Sequence, residues 1–308
     1  MAAMGMLLGL LAAIFWGTGD FLSRYMTQSL GSFRSLFFMQ FIGIIGLGAY
    51  LLFTGEMQHI LQSTSSLVWG WSLLAVVCNV ASSYALYRAF ESGTLTVVSP
   101  IVASYAAVTV MLSFLAGQVP TPIRDIGIVL VLVGVAGVAT PLRWGSRVDA
   151  ASGVMMQAQS DSVITARTQV FRGVGWALFS ALGYGVTFWI LGFRVTQNLG
   201  GLMPVWLIRT LTPCILLLCL PFTRQRFTLP RGSIWWIIVS VSIVDTLGYI
   251  AYTSGLLLQG QVAIITILSS LYSAVTIILA GLFLRERLQY TQWFSIFVIL
   301  GGIVLVRI

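Results

Sequence analysis

Apolar runs of about twenty residues alternate along this chain with short segments that hold Gly, Pro, Gln or Arg. The hydrocarbon core of a bilayer is about 30 Å thick, and a helix crosses it with about 20 apolar residues. The runs predict ten spans, at about 4–26, 31–53, 67–90, 93–117, 123–141, 173–193, 199–220, 234–257, 260–284 and 289–306. The longest interruption, 142–172, holds Arg143, Arg147, Asp149, Asp161, Arg167 and Arg172 and divides the chain nearly in half. The predicted fold is all-α and integral to the membrane. Residues 1–141 form a first five-helix repeat, 142–172 an inter-repeat loop, and 173–308 a second five-helix repeat.

The two halves repeat one another. Thr27-Gln28-Ser29-Leu30-Gly31 returns as Thr196-Gln197-Asn198-Leu199-Gly200. Tyr84-x-x-Tyr87 returns as Tyr249-x-x-Tyr252, Tyr105 as Tyr272, and Gly93 as Gly260. The order is kept, and the separation stays between 165 and 169 residues. Each match is short, but their collinearity points to duplication. Five spans per copy is an odd number, so the second copy enters the membrane upside down. Such inverted repeats build many secondary transporters. Orientation follows from arginine. Loops after odd-numbered spans hold Arg24, Arg34, Arg88, Arg143, Arg147, Arg167, Arg172, Arg224, Arg226, Arg231, Arg285 and Arg287, while the other side holds Arg124, Arg194 and Arg307. Basic loops stay in the cytoplasm, so both termini are expected outside.

Composition agrees with this reading. Hydrophobic residues make up 58% of the 308 and charged ones 8%, against roughly 25% charged in soluble domains. Too few charges remain to clothe a soluble surface. The net charge of +8 belongs to topology and lipid headgroups, since no basic stripe with exposed aromatics suggests nucleic acid. Cys78, Cys214 and Cys219 lie inside apolar runs, without zinc spacing or a disulfide framework. The single histidine, His59, has only Glu56 near it, so neither a metal site nor a cofactor is expected. The first run lacks a basic n-region and a cleavage site, and reads as a retained span. These features place the protein in a bacterial or archaeal cell membrane as a multi-pass protein, monomeric or homodimeric.

Ionisable groups within the bilayer are costly and mark functional sites or buried pairs. Arg209 and Asp245 stand near the middles of the seventh and eighth spans. Facing each other, they are either a static pair or part of a substrate path. Asp20, four residues after Trp16, shares its helical face. It reads either as a ligand for a substrate ammonium or a coupling proton, or as a partner of Arg24 one turn on. Tyr249 and Tyr252 continue the face of Asp245. Asn79, Ser83 and Tyr87, with Tyr84 beside them, form a similar polar face on the third span, and Ser99, Pro100 and Ser104 interrupt the fourth. Tyr105 and Tyr272 complete the candidate substrate residues. Gly17, Gly19, Pro100, Gly183 and Gly185 are candidate hinges; interhelical hydrogen bonding is the plain alternative for the polar faces.

Trp16-Gly17, followed by a polar stretch, resembles the opening of the EamA-type drug/metabolite transporters. Leu284-Arg285-Glu286-Arg287-Leu288 followed by Gly301-Gly302 is similar to that family's Glu and Gly ending of each repeat, with Gln118 replacing the glutamate in the first copy. Pro100 also fits, although Ile267 replaces it in the second copy. The resemblance implies ten helices, a central cavity between inverted halves, alternating access, and export of amino acids or other small metabolites. A cavity holding Arg209 and an acid would suit a zwitterion. A lipid or lipid-sugar flippase of the same fold is the alternative. A membrane-embedded lipid enzyme is a third, disfavoured by the missing His and acid cluster. No Walker-type motif supports direct use of ATP.

Overall fold

The computed structural model describes residues 2–55, 64–93, 95–117, 122–139, 156–223, 228–259 and 261–284, with scattered positions from 291 to 305. Among these residues every regular element is a helix. The first half comprises α1 (Ala2–Leu30), α2 (Ser32–Thr54), α3 (Ser66–Ser92), α4 (Leu95–Ala103), α5 (Tyr105–Leu115) and α6 (Pro122–Ala139). The second comprises α7 (Met156–Ile190), a π-helical turn (Leu191–Val195) running into α8 (Thr196–Leu199), α9 (Met203–Thr223), α10 (Ile234–Gln259), α11 (Val262–Ser270) and α12 (Tyr272–Leu284).

Eight stretches of the described chain are helical, long and apolar enough to cross a membrane. They fall on predicted spans one to four and six to nine. Helix α6 occupies the place of the fifth. The tenth, 289–306, lies almost wholly outside the described residues, as does most of Leu284–Leu288. The stretch 156–172, read from sequence as loop, is the start of α7. It contains neither Gly nor Pro, so nothing in it stops a helix.

Packing pairs the halves in a matched way. Helix α1 lies against α10, and α7 against α3. Helix α1 also meets α11 and α12, as α7 meets α4 and α5; α11 touches α5, as α12 touches α4. Helix α2 packs on α9 and α10, and α9 on α3. Each contact thus has a counterpart with the halves exchanged.

Small residues set the close approaches, as expected where lipid removes a hydrophobic drive between helices. A Cβ on Gly17 would fall 2.5 Å from Val275 Cβ and 2.7 Å from the Tyr272 carbonyl. A Cβ on Gly185 would fall 2.5 Å from Val108 Cβ and 3.1 Å from the Tyr105 carbonyl. The Thr276 hydroxyl donates to the Gly17 carbonyl at 3.1 Å, and Thr109 donates to the Gly185 carbonyl at 2.9 Å. The two crossings are the same contact built twice. Outward-facing positions are apolar, among them Phe53, Leu52, Leu218 and Leu282, as lipid exposure permits.

Candidate functional site

The predicted fourth and ninth spans are each broken once, at the same place. Ser104 separates α4 from α5, and Leu271 separates α11 from α12. At both breaks the backbone closes tighter turns: Ser104 N–H donates to Ile101 O at 3.2 Å, and Leu271 N–H to Leu268 O at 3.4 Å. Serines bond back to the same kind of carbonyl. Ser104 Oγ donates to Ile101 O at 2.6 Å, Ser269 Oγ to Thr266 O at 2.9 Å, and Ser270 Oγ to Ile267 O at 2.7 Å. Such side-chain bonds compete with the helical ladder and bend helices. Pro100 lies four residues before the first break. The second break has no proline, so the serines are the cause the copies share.

Immediately after each break stands a tyrosine, and the two rings stack across the halves at 6.2 Å between centroids and 11° between planes. Tyr105 OH shares a hydrogen bond with Ser269 Oγ at 2.9 Å, while Tyr272 OH donates to Ser99 O at 3.2 Å. Each tyrosine is thus latched to the other half's broken helix. Beside them lies a narrow cavity of ≈ 40 Å³, lined by Trp16, Asp20, Leu86, Val102, Tyr105, Tyr184, Phe188, Asp245, Tyr249 and Tyr272. A smaller void of ≈ 20 Å³ adjoins it and shares Asp20, Leu86, Tyr184, Asp245 and Tyr249, adding Ser83, Tyr87 and Gln40 among others. One buried water needs about 10–15 Å³, so these spaces hold a few waters at most. The centre of the molecule is tightly packed.

The chemistry of the lining is two carboxylates among aromatic rings. Phe188 packs at 4.8 Å from Tyr105, 5.3 Å from Trp16 and 5.7 Å from Tyr184, and Trp16 meets Tyr249 edge-on at 5.1 Å. The phenols present rings, because their hydroxyls have protein partners. Tyr184 pairs with Ser83 at 2.9 Å, and Tyr249 accepts from Asn79 Nδ2 at 2.6 Å. Asp245 accepts from Arg209 at 2.6 Å. Asp20 forms no ion pair among the described residues, with Arg24 or any other. Its Oδ2 is buried without a hydrogen bond, as is Trp16 Nε1.

Arg209 is completely buried and lines neither space. Its guanidinium donates to Gln40 Oε1 at 2.6 Å, to Met39 Sδ at 3.2 Å and to Asp245, and lies 5.4 Å from the Tyr249 ring centre. Gly43 makes room for its stem, since a Cβ there would come within 2.7 Å of Arg209 Cδ. The expected pairing with Asp245 is therefore present, but the arginine lies behind the cavity wall.

Of the remaining sequence candidates, Trp16, Asp20, Tyr105, Asp245, Tyr249 and Tyr272 meet at the cavity. Tyr87 borders the smaller void and pairs with Ser23 at 3.4 Å. Asn79 stands behind Tyr249. Tyr252 forms an outer ring 4.7 Å from Phe188, its hydroxyl on Thr266. Tyr84 points elsewhere, edge-on to Trp176 at 6.5 Å. Ser104 serves the break. Gly19 borders the smaller void, and Gly183 abuts Ser82. Sequence reasoning missed Tyr184, Phe188 and Gln40. The repeat held the signal: Tyr184-Gly185 stands to Trp16-Gly17, and Arg209 to Gln40, at the separation of the other repeated pairs.

Helices broken beside a cavity between two matched halves define a polytopic membrane protein of transporter type. The chain belongs to the EamA-like transporter family, whose model matches residues 3–140 and again 171–308. It is therefore a multi-pass protein of a family of membrane transporters. An uncharacterized protein of Methanocaldococcus jannaschii is 30% identical over 131 residues, which are 42% of this chain and 91% of that one. Nearly all of that protein thus matches less than half of this chain. A protein of known crystal structure shares the fold, with a TM-score of 0.70 at 16% identity over 99% of this chain and 98% of that one.

Proposed function

We propose that this protein is a secondary transporter that moves small, amphipathic, amine-bearing metabolites by alternating access through the central cavity. The observation that carries the reading is the unpaired Asp20 carboxylate in an aromatic cavity between the halves, beside both helix breaks. Discontinuous helices at a repeat interface are where transporters of this kind hold substrate. In this reading ten spans form two inverted five-helix repeats, residues 1–141 and 173–308. Both termini face outward, and rocking of the halves widens the narrow central space toward either side in turn. A proton on Asp20 is the proposed coupling ion.

The zwitterion expectation changes in one respect. Arg209 is committed to Gln40 and Asp245, so substrate recognition falls to Asp20 and the rings. One observation favours the flippase reading: an apolar groove of ≈ 420 Å³ between α2 and α10, lined by Ile42, Gly46, Tyr50, Ile243 and Leu247 among others, lies on the outer flank. Uptake into proteoliposomes separates the two. The transporter reading expects counterflow of water-soluble amines that Asp20→Asn abolishes. Head-group-selective lipid scrambling without amine flux would overturn it.

A further inference from the structure

Resting on the transporter reading, the geometry points to a narrower substrate class: monovalent arylalkylamines, cations that carry an aromatic body and no carboxylate. Charge bookkeeping at the cavity comes first. Asp245 is matched by Arg209 at 2.6 Å. Asp20 has no partner of opposite charge among the described residues, and its Oδ2 is buried and unbonded. Once its proton leaves, Asp20 presents one uncompensated negative charge to the cavity, and one positive charge on the ligand satisfies it.

The second consideration is what a carboxylate on the ligand would meet. Among the described residues no arginine lines the cavity, and the guanidinium of Arg209, bonded to the lining Asp245, is completely buried behind the wall. The hydroxyls of Tyr105, Tyr184 and Tyr272 are engaged with protein partners, and Tyr249 accepts from Asn79, which leaves its O–H as a neutral donor and no cation. An amino-acid carboxylate would be stripped of water beside two acids, with no cation to receive it, and unpaired buried charge is strongly disfavoured. Like charges placed together are a standard means of rejecting the wrong ligand.

The third is the shape of the remaining wall. Trp16, Tyr105, Tyr184, Phe188, Tyr249 and Tyr272 present faces and edges to one space. When rocking of the halves widens this space, the ring faces attract an ammonium and stack on an aromatic body. Trp16 is 7% exposed, and its indole N–H lacks an acceptor, leaving one neutral donor for a ring face or an oxygen on the ligand.

Three probes of one shape test this: tryptamine, tryptophan and indole-3-acetate, titrated into the purified full-length protein in detergent by calorimetry. Tryptamine is expected to bind at least tenfold more tightly than tryptophan, with indole-3-acetate silent. Asp20→Asn is expected to weaken tryptamine at least tenfold while retaining the wild-type melting temperature. Tryptophan binding as tightly as tryptamine, or no tryptamine binding, would overturn the assignment on wild-type protein alone, whatever the variant does. Flux in proteoliposomes keeps the two readings apart. Tryptamine bound but not carried would sink the transporter reading and leave the ligand class standing. Tryptophan carried in preference to tryptamine would sink the ligand class and leave the transporter standing.

Discussion

Arg209 is the largest side chain that is fully buried in the described chain. A guanidinium in that position is sustained by Asp245 and Gln40, and by the glycine that leaves space for its stem. Removing one partner from a buried pair costs about 3–5 kcal/mol, whereas apolar replacement of both is often close to neutral. Arg209→Met is therefore expected to lower the thermal midpoint in detergent sharply, and Arg209→Met with Asp245→Leu to recover the larger part. The remainder is the orphaned Gln40 carbonyl. A double variant no more stable than the single would show that the pair is not what holds this arginine. Mid-span position makes Arg209 and Asp245 visible in the sequence, since charges there need partners. That the arginine faces the wall and the aspartate the cavity is not visible there, because the inward direction of a helix face depends on which neighbours close around it.

At the scale of elements, the breaks at Ser104 and Leu271 and the crossings at Gly17 and Gly185 come in pairs. Gly17→Ala puts a methyl into Val275 and the Tyr272 backbone, and overpacking of that kind costs about 1–3 kcal/mol. Gly185→Ala is expected to cost a similar amount through Val108. Gly46→Ala, with nothing within 4 Å of the new Cβ, is expected to be neutral within about 0.5 kcal/mol. Thermal unfolding of the three variants checks this, and equal losses at Gly46 and Gly17 would refute the packing role. These glycines thus have a reason to be small that does not depend on bending. Tyr105→Phe and Tyr272→Phe each remove one cross-half hydrogen bond and keep the stacked ring. Losses of about 0.5–1.5 kcal/mol are expected for each, and unequal effects on the two sides would argue against equivalent latches. Span positions are legible from apolar run length alone. The break in the ninth span is not, because proline marks only its counterpart, and serine back-bonding leaves no pattern distinct from ordinary polar glue.

The distribution of arginine predicts the orientation of the whole molecule, and the duplication marks its centre. A reporter fused to the C-terminus is expected to report the outside of the membrane, and one placed within 142–172 the cytoplasm; a cytoplasmic C-terminus would reverse the assignment. The duplicated register of tyrosines marks the centre of the molecule in the sequence itself, since Tyr105 and Tyr272 meet there as stacked counterparts. The central claim is that this centre is reached in turn from each side of the membrane. It is tested by placing one cysteine on the cavity wall, Leu86→Cys, in a background where Cys78, Cys214 and Cys219 are replaced by serine or alanine. A membrane-impermeant thiol reagent is then applied to oriented vesicles from either face. Alternating access predicts labelling from both faces, and transported substrate slows both. Labelling from one face only, at a rate that substrate leaves unchanged, would contradict it.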